Sequence, residues 1–366
     1  MTTPVSKRIR LESLDALRGF DMFWIIGGGA IIQCLATASN LGFLKILSLQ
    51  MDHVPWEGLH FYDLIWPLFM FIMGVALPLS IASRRASGVS DRSIFWHAVR
   101  RSLIMFFLGT ITQGNLLEFN LASFHPCYSV LHGLAAGYLV AAIITLKIKA
   151  RWHPVTIGIL LLAYWAMVML IPVPGTGAGV LTPQGNVATY FDQLVLGRFH
   201  FGENTWFMSY PAFGASVLLG VLAGQQLMSA ESPGRKMFRL AAAGIFCIGT
   251  GLLWSIWFPV IKLMWTSTYV LVCGGMSFLL MVLFYWIIDV KGYKHWAFWL
   301  KVIGMNSIAI YLGIHIIPFY GIADRLASGL EQFTGAYYPV IESMTALAIM
   351  YIILYWMYKK GTFIKI

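Results

Sequence analysis

Charge is what this 366-residue chain has least of: Asp, Glu, Lys and Arg make up 11% of it, while 59% is hydrophobic and the mean hydropathy is +0.75. A water-facing domain carries about 25% charged residues, so a soluble globular fold is excluded. Cysteine is scarce as well. Cys34, Cys127, Cys247 and Cys273 lie in or beside apolar segments without any CxxC spacing, which points to neither a zinc site nor a disulfide framework. Internal repeats, low-complexity tracts and a soluble domain are also missing, so 1–366 reads as one transmembrane unit. No small-residue cleavage site follows the basic start, and the first apolar segment is expected to be kept as a helix.

What is present is a series of long apolar runs. Crossing the hydrocarbon core takes about 20 mostly apolar residues. Ten segments meet that length, at 16–38, 61–82, 99–117, 127–146, 154–172, 206–228, 239–258, 265–288, 297–318 and 340–358. The expected fold is all-α, a polytopic membrane protein of about ten helices. Gln113, Asn115 and His132 interrupt the third and fourth segments.

The formal charge of +10 sorts by loop. Lys7, Arg8 and Arg10 precede the first segment. Arg84, Arg85, Arg92, Arg100 and Arg101 follow the second, and Lys147, Lys149 and Arg151 the fourth. Arg235, Lys236 and Arg239, then Lys291, Lys294 and Lys301, then Lys359, Lys360 and Lys365 fill the remaining loops of that side. The other side holds only Lys45, Arg198, Lys262 and Arg325. Such a bias marks the cytoplasmic face. Both termini are expected there, and the charge needs no nucleic-acid partner.

Polar groups within or at the mouth of a span are costly, about 2.5–3.5 kcal/mol for a charge at the centre. Asp15, Arg18 and Asp21 fall at i, i+3 and i+6 of the first helix. They read either as an arginine neutralised by its neighbours or as a cation facing an anionic ligand from the cytoplasm. On the outer side, "MDHVPWEGLHFYDLIWPLF" sets His53, Trp56, Glu57 and His60 ahead of Asp63, which opens the second helix. Asp63 suits the positive end of that helix as a cap. With an imidazole in reach it equally suits a base–orienter pair, since a carboxylate partner orients a histidine and raises its basicity. His315 lies near the outer end of the ninth segment. Gly27-Gly28-Gly29, Gly133…Gly137 and Gly220…Gly224 read as close helix packing rather than phosphate loops. Asn306, in "GMNSIAIYLGIH", is a buried amide suited either to packing or to a ligand.

Four motifs carry a resemblance. "RLESLDALRGFDMFWIIGGG", "HVPWEGLHFYDLIWPLFMFIMGVALPLS", "SVLHGLAAGY" and "PVIKLMWTSTYVL" with Asp289 and "GMNSIAIYLGIH" occur in the order found in the heparan-α-glucosaminide N-acetyltransferase family. The chain resembles in particular its shorter bacterial relatives, which implies residence in a bacterial cytoplasmic membrane. It further implies an enzyme that takes acetyl from cytoplasmic acetyl-CoA and passes it to the amine of a terminal glucosamine, with His53 as the active-site histidine of the His-x-x-Trp-x-Gly motif. Departures occur at Ile25, where the family has Asn, at Gly133, where it has Arg beside His132, and at "ENTW" (203–206) in place of Asp-Pro-Glu-Gly.

The expected site therefore has His53 as general base with Asp63 behind it, and Trp56, Glu57, Lys262, Asn306 and His315 around an amino-sugar or glycan acceptor. Lys262 and Asn306 are the expected donors to the oxyanion. Arg18, Arg84, Arg101 and Lys301, with Arg85 and Arg100, are the expected anchors for the phosphates of acetyl-CoA, and no metal is called for. An acetyl-His53 intermediate, a hydroxyl acceptor on an envelope glycan, a sugar transporter and a homodimer remain alternatives at this level.

Overall fold

A computed structural model describes residues 11–39 and 41–364. Lys7, Arg8, Arg10 and Lys365 of the expected cytoplasmic set lie outside the described residues. Within them the chain is helical and forms no strands beyond two isolated bridges, Glu57–Ile261 and Val173–Gly177.

The first pass is α1 (Glu12–Phe23), a π turn (Trp24–Gly28) and α2 (Gly29–Ser39), with Gly27 at φ 153° accommodating the irregular turn. The peripheral α3 (Gly42–Gln50) follows, and a 3-10 turn (Phe61–Leu64) leads into α4 (Ile65–Ala86). Next come α5 (Asp91–Thr112), α6 (Val130–Lys147) and α7 (His153–Leu170), then the short α8 (Val187–Leu196). Then follow α9 (Tyr210–Met228), α10 (Pro233–Trp254) and α11 (Ser267–Phe284), which ends in a second π turn, Tyr285–Val290. The chain closes with α12 (Phe298–Met305), α13 (Ser307–Ile316), α14 (Phe319–Ala327), α15 (Glu331–Thr334) and α16 (Tyr338–Lys359).

Among the described residues nine helices are long and apolar enough to cross a membrane, and ten passes result if α12 and α13, bent by 70°, count as one. The bounds differ from the sequence expectation where caps override hydropathy. Ser90 accepts the Ser93 N–H at 3.3 Å, so α5 starts at Asp91 rather than near 99. It stops before Gln113, because Asn115 is left-handed (φ 56°) and turns the chain away. Asn306 breaks the ninth span, and its side-chain amide binds the backbone of the C-terminal segment.

The centre of the bundle is built on close backbone approach. A Cβ on Gly74 would lie 2.0 Å from the Val217 carbonyl oxygen, and one on Gly220 equally close to that of Phe71, so only glycine lets α4 and α9 meet. Gly19 and Gly304 do the same for α1 and α12. These contacts fix α4, and with it the 3-10 turn that carries Asp63.

Candidate active site

Asp63 is 1% exposed, at the third position of the turn that opens the second span. Its Oδ2 accepts the N–H groups of His60 (3.0 Å) and Val54 (3.3 Å), which satisfies the turn and fixes the preceding loop. Its Oδ1 is left for side chains: His53 Nδ1 at 2.8 Å and Lys262 Nζ at 3.1 Å. The capping role and the orienting role thus belong to different oxygens of one carboxylate.

The opposite side of the site comes from the loop between α10 and α11. Gly58 N–H donates to the Val260 carbonyl at 2.9 Å and Glu57 bridges Ile261, clamping the two loops together. Thr266 caps α11 and also accepts the Ile261 N–H, while Tyr269 OH donates to the Asp63 carbonyl at 2.7 Å. This frame delivers Lys262, only 13% exposed, to 2.7 Å from His53 Nδ1 and 3.2 Å from its Nε2. A lysine ammonium and a buried carboxylate cannot both engage Nδ1 through one proton. The carboxylate is the stronger partner, so Nδ1–H donates to Asp63, Lys262 donates to Asp63 Oδ1, and Nε2 keeps a lone pair. Burial pulls the pKa of Lys262 below that of an ordinary lysine, against the pull of Asp63. His53 itself is half exposed and packs on Tyr62 at 5.0 Å between ring centroids.

Beneath these groups lies a cavity of about 240 Å³ among the π turn after α1, α4, the residue that ends α5, α6 and α13. Trp66, Phe69, Leu131, Leu134 and Ile308 make it apolar, and His53, Lys262, His315, Tyr311 and Gln113 supply its polar groups. His315 donates Nδ1–H to the Tyr311 carbonyl at 2.8 Å, which fixes the orientation of the ring.

Three sequence departures acquire physical reasons here. Ile25 is part of the cavity wall. A Cβ on Gly133 would lie 2.6 Å from the Trp66 ring, so the indole occupies the space that any larger residue there would claim. Trp206 of "ENTW" is 1% exposed behind Trp66, its ring 6.2 Å away.

Other expected residues lie elsewhere. Asn306, expected as an oxyanion donor, does not line the cavity: its amide donates to the Thr362 carbonyl and accepts the Ile364 N–H of the C-terminal segment. Trp56 donates Nε1–H to the Leu181 carbonyl at 2.8 Å, anchoring the 173–205 loop, and Glu57 is exposed outside the cavity lining. Gln113, Tyr311 and Trp66, which the sequence did not single out for the site, line the cavity instead.

The expected phosphate anchors divide as well. Arg101 sits 4.7 Å over the Tyr138 ring, its Nε buried without a partner among the described residues, within electrostatic reach of Arg18. Arg18 pairs with Asp15 at 3.4 Å, whereas Asp21 is fully buried and makes no hydrogen bond among the described residues, so of the two neighbouring acids only Asp15 reaches the guanidinium. Arg84 donates to His97 Nε2 at 2.7 Å. Lys301 is taken up, with Lys294, by Glu12 (2.8 and 3.0 Å), and Arg85 by Asp91. Tyr138 is four residues beyond Leu134 on α6, or about 6 Å below the cavity floor.

No family model matches the chain. Two curated proteins are similar to most of it. The heparan-alpha-glucosaminide N-acetyltransferase of Mus musculus is 27% identical over 404 aligned residues, covering 92% of this chain. The Homo sapiens protein of the same name is 25% identical over 426, covering 98%. The chain spans 60% of the length of each. The resemblance read from the motifs therefore stands as a distant family relationship.

Proposed function

We propose that this protein is a membrane acetyltransferase that moves acetyl from acetyl-CoA to the amine of glucosamine or of a glucosamine-ended sugar, with His53 as general base. The observation that carries the reading is the buried Asp63 holding Nδ1 of a half-exposed His53 at the mouth of an apolar cavity, in a chain related to proteins of that name.

The cavity suits the reacting ends rather than whole substrates. Pockets for drug-sized ligands run about 300–1,000 Å³, so 240 Å³ takes an acetyl thioester and an amine-bearing carbon or two. Arg18, Arg84 and Arg101 would hold the phosphates, and the thioester would reach up between α5 and α6 past Tyr138. The neutral acceptor amine attacks the acetyl carbon while His53 Nε2 takes one of its protons; the C–N bond forms, and the carbonyl oxygen becomes an oxyanion. The C–S bond then breaks, and the thiolate leaves with the proton returned by His53. Asp63 stabilises the imidazolium between these steps, and Lys262 keeps Asp63 ionised and oriented. An acetyl group carried on His53 is the competing course.

The same geometry would serve a hydroxyl acceptor, and the acceptor atom is what a screen decides. Purified protein given acetyl-labelled acetyl-CoA is expected to label glucosamine and its oligosaccharides but not hydroxyl-only sugars. Label appearing only on the latter would move the assignment to O-acetylation. Binding and translocation of sugar without turnover would move it to transport. The integral membrane character is carried by the apolar helices; the bacterial cytoplasmic membrane and the inward-facing termini are part of this proposal.

A further inference from the structure

The cavity contains an amide whose orientation is fixed by two hydroxyls from other helices. Gln113 Oε1 is 2.6 Å from Ser129 Oγ and 3.0 Å from Tyr311 OH. Ser129 is wholly buried and Tyr311 nearly so. Ser129 Oγ already accepts the Leu131 N–H at 3.2 Å, and its own N–H donates to His132 Nδ1 at 3.0 Å. With the amide reversed, its N–H groups would face two buried hydroxyls that can at best share one acceptor between them, so a buried hydroxyl proton would be left unpaired, at about 1–3 kcal/mol. The carbonyl side of Gln113 therefore belongs to the hydroxyls. Its NH2 group has no protein acceptor among the described residues, and Gln113 lines the cavity together with His53 and Lys262.

The orientation is supported from behind. His132 accepts the N–H groups of Tyr128 and Ser129 on Nδ1, so its proton sits on Nε2, facing the Phe106 carbonyl and Thr110 hydroxyl at 3.1 Å each. That pins Ser129, which pins Gln113. A neutral donor held rigidly in a largely apolar cavity that a histidine base also lines is what a developing oxyanion requires. Asn306, the amide expected for this role, lies elsewhere, and Lys262 is engaged with Asp63.

We infer that the side-chain NH2 of Gln113 donates the hydrogen bond to the acetyl carbonyl oxygen during transfer, with Ser129 and Tyr311 as positioning residues. This rests on the acetyltransferase reading above. No covalent step is added: the amide binds the oxygen more strongly as it gains charge and releases it when the C–S bond breaks.

The test compares wild type with Gln113→Glu, Gln113→Leu and Tyr311→Phe, using acetyl-CoA and glucosamine. Glu keeps the size and the acceptor for both hydroxyls but has no N–H. Both Gln113 variants are expected to lose about 10²–10³-fold in kcat, with KM for either substrate changed less than threefold. Tyr311→Phe, which frees one side of the amide, is expected to lose about 3–10-fold. The carbonyl stretch of bound ¹³C-acetyl-CoA gives a readout independent of turnover: it is expected at lower frequency in wild type than in Gln113→Leu. Wild type that transfers acetyl while Gln113→Glu and Gln113→Leu keep kcat within twofold, or with an unmoved carbonyl band, overturns the Gln113 assignment alone. Wild type that neither binds nor consumes acetyl-CoA overturns the parent reading, and this inference with it.

Discussion

Asp63 divides its two oxygens between structure and chemistry, and single substitutions should separate the two. In Asp63→Asn the amide carbonyl can still take His53 Nδ1–H, but nothing stabilises the imidazolium and Lys262 loses its counter-charge. Transfer is expected to fall about 10–10²-fold, less than on loss of the base itself, with acetyl-CoA affinity held, as read from initial rates and calorimetry. An Asp63→Asn variant with wild-type kcat would reduce the carboxylate to a helix cap. Asn306→Ala is the converse case. It removes two hydrogen bonds to the C-terminal segment, so a loss on the order of 1–3 kcal/mol in stability is expected, while kcat per folded molecule stays within about twofold. A fall in kcat beyond tenfold would return Asn306 to the reaction. His53 and Asp63 were legible in the sequence because both lie in one short motif, ten residues apart. Gln113 was not, because its partner Tyr311 is 198 residues away and only the packing of α13 on α5 brings them together.

At the scale of elements, the long helices were legible because each must satisfy its own backbone inside lipid and so announces itself as an apolar run. The short α3, α8 and α14 were not, being embedded in polar or glycine-rich connections. α8 positions Asp192, whose carboxylate accepts the N–H groups of Trp206 (2.5 Å) and Phe207 (3.1 Å) and so holds the start of α9 behind the cavity. Burial raises Asp192 to about 6, above its ordinary 3.8, against those two donors. A carboxyl whose pKa is raised by folding contributes stability below the unfolded value and loses it as pH rises through the folded one. The melting temperature in detergent is therefore expected to drop between about pH 4 and pH 6 on account of this group, and Asp192→Asn should flatten that part of the profile. Identical profiles for the two proteins would contradict it. The 70° break at Asn306 also escaped the sequence reading, since one asparagine in an apolar run does not reveal which backbone it will bind.

For the whole molecule, the ten passes counted among the described residues with α12 and α13 taken as one bring Arg84, Lys147, Lys236, Lys294 and Lys359 to one end of the bundle and His53, Lys262 and His315 to the other, with Arg101 midway along α5. The division of basic residues then predicts both termini on the cytoplasmic side. Reporter fusions after successive helices should alternate accordingly, and a C-terminal fusion active outside the cytoplasm would reverse the sidedness assumed for acetyl-CoA. All of this depends on one residue acting at the outer mouth of the cavity. The most direct measurement is transfer of labelled acetyl from acetyl-CoA to glucosamine by purified wild type and His53→Ala, with acetyl-CoA binding measured on both. A loss of about 10²–10⁴-fold in transfer with binding retained is the expected result; a His53→Ala protein that turns over like wild type would contradict the account.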